Sequence, residues 1–275
     1  MIKKKYQVEY VNSTHNAGFF SCCSIRLDDI IKFFNKYKLL PIKVDSSRQF
    51  KWYKNNENKN ENENNDITFD YFEYYKNVNI FPIYKNNIKY DGVTDQYKNY
   101  KQIDYESISP FVKKYFTPSL KIKKIISNLE MKYKITEYTQ ICVLFYRGND
   151  KVTETELASY NDIIDKAKII FDINNNIKFL IQSDETEFIE TIINTFPENS
   201  FYFKDEIRHM KKQDSTVDKI FKDTNHIFSK YYLAITIIMS KCNYIICGSG
   251  NCSIWIMLYR GNSNNVYQFL NNAWI

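Results

Sequence analysis

The chain has 275 residues, 44% hydrophobic and 25% charged, which suits a globular chain of about two domains or one large one and excludes disorder as the whole answer. Its net charge of +6 lies mostly before Pro118: the part up to Thr117 carries +5 and the rest +1, with Lys3, Lys4 and Lys5 supplying half of the total. No dense basic stripe follows, so a nucleic-acid binder is not indicated, while a basic first part suits an acidic acceptor or a phosphorylated ligand.

The first predicted element is a strand over 5–11, where apolar and polar residues alternate. A polar loop, Asn12 to Gly18, leads into a helix over Phe19–Tyr37, whose apolar residues recur at helical spacing. A short apolar strand, Leu39–Val44, follows. Residues 54–65 are low-complexity and polar, and read as a disordered surface insertion. The Tyr-rich stretch 66–106 yields no assignment. A helix over Ser107–Phe116 ends at Thr117-Pro118, an N-cap and first-turn proline that open a second helix to about Tyr133. That junction is the expected boundary between domains 1–117 and 118–275.

The second part alternates strands and helices. Strands are expected at Thr139–Tyr146, Ile177–Gln182, Ser200–Phe203, Tyr244–Cys247 and Val266–Phe269. Helices are expected at Glu156–Ile170, from a Ser183-Asp184 cap through Phe196, at Asn225–Met239 and at Cys252–Tyr259. This pattern argues for an α/β fold with a parallel sheet covered on both faces. Ligands of such sheets bind at the carboxyl ends of the strands.

No secretory leader is visible, since Met1 runs through three lysines into a polar segment. The longest apolar run, Tyr231–Met239, has nine residues, too few to cross a membrane. The six cysteines form no CxxC pair and read as reduced core residues of a cytoplasmic protein. His15, His209 and His226 are scattered, without zinc-ligand spacing. Aromatics reach 17%, but Phe, Tyr, Ile, Asn and Lys share A/T-rich codons, so the excess reads as a genome signature and not as a binding surface. With only six Gly, each loop glycine carries information.

Three strand-end loops could carry chemistry. Arg147-Gly148-Asn149-Asp150-Lys151 offers a planar fork and a point charge for a diphosphate, or else a solvated turn. Gly248-Ser249-Gly250-Asn251 spends two glycines between strand and helix, where backbone approaches a ligand and the helix N-terminus favours an anion. It is not GxGxxG, so the dinucleotide fingerprint is absent. Ser183-Asp184-Glu185 reads as a helix cap, or as an acid holding a nucleoside. Asn16-Ala17-Gly18 occupies the matching edge of the first part, with His15 beside it. There is no DxD; Glu154-x-Glu156 and Glu185-x-Glu187 sit on helix starts, where acids are ordinarily solvated. A positive clamp from Arg147, Lys151 and helix N-termini would replace a metal. No P-loop, Ser-His-Asp set or reactive-cysteine site is present.

Leu144 to Val152, with its R-x-x-D-K, resembles the matching segment of α-1,6-fucosyltransferases, rhizobial nodulation fucosyltransferases and protein O-fucosyltransferases. Two later segments match in order: Phe179 to Glu185 is similar to their strand followed by S/T-D-D, and Ser240 to Asn251 to their nucleotide loop. Asn16-Ala17-Gly18-Phe19, its helix, and Leu40 to Asp45 resemble the elements that open those enzymes. The Asn-rich style and the run from Cys247 to Asn262 also resemble proteins of large DNA viruses, which would imply a host cytoplasm.

The resemblance implies a GT-B fold of two Rossmann-like domains with parallel sheets, a GDP-sugar donor as substrate with no further cofactor and no metal, inversion at the anomeric carbon, and a glycan or protein hydroxyl as acceptor. It implies that Arg147 stabilises the departing diphosphate. Asp150 and Lys151 would support that loop, Asp184 and Glu185 would contact the nucleoside, and Gly248 to Asn251 would line the phosphates. The family's base position falls on Thr155, leaving Glu154 or Glu156 as base, its pKa raised by burial. The chain departs from the pattern at Phe145, where a His is common, at Gly148, where a second Arg stands, near Ile235, where an acid is expected, and at Gly250-Asn251, which replace paired serines. These positions touch the donor more than the fold.

Overall fold

The computed structural model describes residues 10–55, 65–74 and 87–275. The expected insertion at 54–65 and the first residues of the strand expected at 5–11 fall largely outside them.

The first part opens with β1 (Tyr10–Asn12), α1 (Phe19–Tyr37) and β2 (Lys43–Asp45), and β1 pairs with β2 in parallel. The apolar face of α1 buries Phe20, Cys23, Leu27, Ile30, Ile31 and Phe34, and a left-handed Lys38 closes the helix by donating its N–H to the Phe34 carbonyl. The second strand is shorter than expected. Leu39 stays 57% exposed, and only Val44 of the apolar run enters the sheet as a buried residue. Among its described residues, the unassigned stretch contributes a helical turn, α2 (Thr68–Tyr71), and 3-10 turns at Asp95–Tyr97 and Tyr100–Gln102.

Next come α3 (Tyr105–Tyr115) and α4 (Leu120–Lys132). The expected cap at Thr117-Pro118 is displaced by two residues. Pro118 is held in a bridge to Phe72, and the Ser119 side chain accepts the Ile122 N–H to cap α4.

Six strands form the main sheet: β3 (Ile141–Tyr146), β4 (Lys178–Ser183), β5 (Ser200–Tyr202), β6 (Tyr244–Gly248), β7 (Val266–Leu270) and β8 (Ala273–Trp274). Their order is β5-β4-β3-β6-β7-β8, all parallel except the β7–β8 pair. Alternate side chains of a strand point to opposite faces. All six residues of β3 are buried, so both faces are covered there. The covering helices are α5 (Tyr160–Ile173) and α6 (Thr186–Thr195), which pack together, and α8 (Asn225–Lys241) and α9 (Asn251–Arg260), which pack against each other, with α4 against α8. A short α7 (Val217–Ile220) precedes α8.

Two helix starts differ from expectation. Helix α5 begins at Tyr160 and not at Glu156, because Ser159 and Asp162 form a reciprocal capping box. Helix α6 begins at Thr186 without a side-chain cap; Ser183 Oγ instead accepts the Glu185 N–H, and Asp184 is committed elsewhere.

One apolar core joins the two parts. Helix α9 packs on α1 and α3, and Trp255 of α9, fully buried, donates its indole N–H to Ser24 Oγ of α1 at 2.9 Å. From β3 the chain winds outward to β4 and β5, then returns to β6 on the other side of β3. The order therefore reverses between β3 and β6, and a crevice opens at their carboxyl ends.

Candidate active site

The loop after β3 is built around two buried carboxylates from the end of β4. Asp184 is 2% exposed; its Oδ2 accepts from Arg147 Nε at 2.8 Å and its Oδ1 from the Gly148 N–H at 3.0 Å. Glu185 is fully buried; its Oε1 accepts the Asn149 N–H at 2.7 Å and its Oε2 the Tyr160 hydroxyl. These two acids sit beneath the loop as its supports, with every carboxylate oxygen already engaged. Asp184 also lines a second, smaller cavity together with Arg147, Gln182 and Tyr232.

The loop's residue types follow from those supports. A Cβ on Gly148 would lie 1.9 Å from Glu185 Oε1, so any side chain here would force the Glu185 carboxylate to shift. Asn149 takes a left-handed φ of 43°, a conformation asparagine tolerates, and spans the loop by donating to the Asp184 carbonyl and accepting from the Gln213 N–H.

Arg147 is thereby held at the crevice with its side chain 24% exposed, and Asp150 Oδ1 lies 3.4 Å from Nη2. Burial works against its charge, but Asp184, Tyr232 and Asp150 more than offset this and raise its pKa. The Tyr232 hydroxyl is buried against Cys252 and Arg147, yet has no hydrogen bond of ordinary geometry among the described residues.

A cleft of about 300 Å³ opens here. One wall is the β3 loop: Arg147, Asp150, Lys151 and Glu154. Another is Gly248 to Ser253 at the end of β6. The third comes from the first part: Ala17 to Ser21 and Trp52. Gly250, at φ 155° and ψ 170°, adopts a backbone region open essentially to glycine alone. Helix α9 starts right after it with no side-chain cap, and α1 starts after Gly18, its first N–H held by Tyr53 Oη. Two helix N-termini therefore face one cleft, each carrying about half a positive charge.

The wall from the first part is pinned to the rest. The Phe19 N–H donates to Tyr53 Oη at 2.7 Å, Tyr53 donates to Asp218 at 2.8 Å, and Asp218 pairs with Arg208 at 2.6 Å. Asn251 Oδ1 accepts from Ser24 Oγ at 2.7 Å.

Of the residues singled out in the sequence, the structure brings Gly18, Phe19, Arg147, Asp150, Lys151, Glu154, Gly248, Ser249, Gly250 and Asn251 to the cleft. Ser183, Asp184 and Glu185 lie behind it. Asn16 lies outside its lining and accepts the Lys51 N–H. Ser249 is 7% exposed and accepts from Gln268 Nε2. Glu156 is exposed on the linker before α5, away from the lining.

The expectation of a base with a raised pKa does not hold for Glu154. Burial raises it, but the ion pair with Lys151 and the Tyr97 hydroxyl outweigh this and lower it. Asp150 is the cleft carboxylate with a raised pKa, because its burial outweighs Arg147 and Lys151. Sequence reasoning missed Trp52, Tyr53, Asp218 and Tyr232, which no local pattern marks. Among the described residues no group of three His, Cys, Asp or Glu side chains could hold a metal ion. All six cysteines are buried and unpaired. No described helix is long and apolar enough to cross a membrane.

Parallel α/β parts that meet at a cleft on the switch point of the sheet define a GT-B architecture. No protein-family model matches the chain, and no curated protein matches it by sequence. The fold is similar to the crystal structure of the fucosyltransferase NodZ from Bradyrhizobium, at 9% identity and a TM-score of 0.60, covering 97% of each chain. It is also similar to the NodZ α-1,6-fucosyltransferase soaked with GDP-fucose, at 10% identity and a TM-score of 0.56, covering 97% of this chain and 98% of that one. Likeness at this identity speaks for the fold. Neither match bears on the viral resemblance.

Proposed function

We propose that the chain is an inverting glycosyltransferase that works without a divalent metal, with GDP-fucose as donor and a glycan or protein hydroxyl as acceptor. The observation that carries this reading is the convergence of Arg147 and two helix N-termini, those of α1 and α9, on one cleft. A nucleoside diphosphate leaving group places negative charge where these groups point. Fixed donors aimed at charge that develops in the transition state are an effective form of catalysis.

In this reading the acceptor oxygen forms a bond to the anomeric carbon as the bond from that carbon to the phosphate oxygen breaks. The diphosphate takes the electron pair and rests against Arg147, Lys151 and the start of α9. The acceptor proton passes to a cleft carboxylate, and Glu154 is the one held in place by Lys151 and Tyr97. Asp150 keeps Arg147 aimed. The similarity to a fucosyltransferase fold soaked with GDP-fucose supports the choice of donor. Gly148 favours keeping another nucleotide-sugar as the second reading, since Glu185 fills the space a second Arg would need.

A thermal-shift screen across nucleotide-sugars tests this. GDP-fucose at a hundred times its dissociation constant stabilises by about 2.7 kcal/mol, an upward shift of about 5 °C. EDTA leaves the shift and the transfer intact. A shift with a UDP- or ADP-sugar in its place changes the donor. Silence from every nucleotide and nucleotide-sugar would point to a glycosyltransferase-like binding protein that has lost activity.

A further inference from the structure

Trp52 is 42% exposed, the one exposed large aromatic among the described residues that line the cleft. It sits on a single 3-10 turn, Lys51–Tyr53, whose neighbours are all fixed. Phe50 is fully buried and packs on Phe19 with ring centroids 5.4 Å apart. The Lys51 N–H is bonded to Asn16 Oδ1 at 2.9 Å, and the Tyr53 hydroxyl is bonded on both sides, to Phe19 and to Asp218. The indole itself makes no ring or cation contact among the described residues. The other two tryptophans behave differently: Trp255 is fully buried, and Trp274 packs on Phe269 at 5.3 Å.

A tryptophan face is a large apolar surface that a protein ordinarily covers. Here the backbone is locked on each side, and the face is left open inside a concave site. The surroundings say what could cover it. The first part's wall beside Trp52, Ala17 to Ser21, carries no charged side chain, and Thr216 also lines the cleft. The cleft's charges belong to the opposite loop, and Asp218 is already paired with Arg208. An apolar face rimmed by hydroxyls fits a pyranose, whose C–H face is apolar and whose edge is all hydroxyl. A nucleobase would stack equally well, but the cations that would anchor a nucleotide's phosphates, Arg147 and Lys151, lie on the β3 loop, and the start of α1 beside Trp52 already gives its first N–H to Tyr53 Oη. A peptide acceptor would seek a free strand edge, and the cleft lining offers none.

We infer that Trp52 is the stacking platform for a sugar ring of a neutral oligosaccharide acceptor. The inference rests on the glycosyltransferase reading and names its acceptor class as glycan. Intrinsic fluorescence tests it, with Trp255 and Trp274 as the constant background. Neutral tetrasaccharides of glucose, mannose, galactose and N-acetylglucosamine are titrated into wild type, Trp52→Phe and Trp52→Ala, and GDP binding is measured in the same samples by calorimetry. At least one tetrasaccharide changes wild-type emission, the change vanishes in Trp52→Phe, and sugar affinity falls at least tenfold in Trp52→Ala while GDP affinity stays within twofold. A Trp52-dependent change with GDP alone would make the platform a base site and overturn the inference. So would a response to a Ser/Thr peptide with none to any sugar. Wild type that binds GDP while no sugar moves Trp52 overturns this inference alone; wild type that binds no nucleoside diphosphate overturns the transferase reading.

Discussion

Replacing Gly148 by alanine perturbs the site without touching any group that would meet a substrate. The new Cβ would lie 1.9 Å from Glu185 Oε1 and 2.1 Å from Cδ, whereas ordinary contact starts near 3.4 Å. The carboxylate must therefore retreat by about 1.5 Å or the loop must lift. Glu185 is fully buried and holds the Asn149 N–H and the Tyr160 hydroxyl, so its retreat breaks both bonds. Bonds to a charged acceptor contribute about 1.5–3 kcal/mol each, which puts the cost of losing two at about 3–6 kcal/mol before relaxation. That is a large part of the 5–15 kcal/mol that ordinarily separates folded from unfolded protein, by the general range. Urea unfolding of four chains isolates the cause: wild type, Gly148→Ala, Glu185→Ala and the double variant. Once Glu185 is truncated the clash is gone, so Gly148→Ala then costs under about 1 kcal/mol, a coupling of about 2 kcal/mol or more. Additivity within about 0.5 kcal/mol would refute the claim that Glu185 dictates the glycine.

The pH profile addresses the base. Glu154 is held below its ordinary value of 4.5, so its ionised form is favoured in the folded protein and is lost only as pH falls through that lowered pKa. The acid limb of kcat/KM accordingly lies below pH 4.5. Glu154→Gln lowers kcat by about 100-fold and removes that limb. A limb that persists in Glu154→Gln and disappears in Asp150→Asn transfers the role to Asp150.

The sheet of the second part was legible because its strands are short, continuous apolar runs bounded by turn residues. Strands β3, β4 and β6 fall within two residues of where the pattern puts them. The first part was harder to read: β2 is three residues long, too short for its pattern to fix the strand's bounds. The start of α5 was misplaced because Glu154 and Glu156 look like acids of a first turn. The reciprocal Ser159–Asp162 cap carries the stronger signal. Arg147 and Gly250 stood out in the sequence, one as an arginine at a strand end and the other as a scarce glycine. The duty of Asp184 and Glu185 did not. A carboxylate that follows a strand can face a ligand or a neighbouring loop, and only the register of β4 beside β3, with Ser183 opposite Tyr146, decides for the loop. Trp52, Tyr53 and Asp218 reach the cleft through contacts spanning more than 30 residues, beyond any local pattern.

The central claim is that Arg147 receives a nucleoside diphosphate. Calorimetric titration of GDP into wild type and Arg147→Lys tests it most directly, because lysine keeps a positive charge beside buried Asp184 and so protects the fold, while the planar fork is lost. Losing a charged hydrogen bond is worth about 1.5–3 kcal/mol, so GDP affinity falls by about 10- to 150-fold while the unfolding midpoint stays close to wild type. Equal GDP affinity in the two proteins would contradict the account.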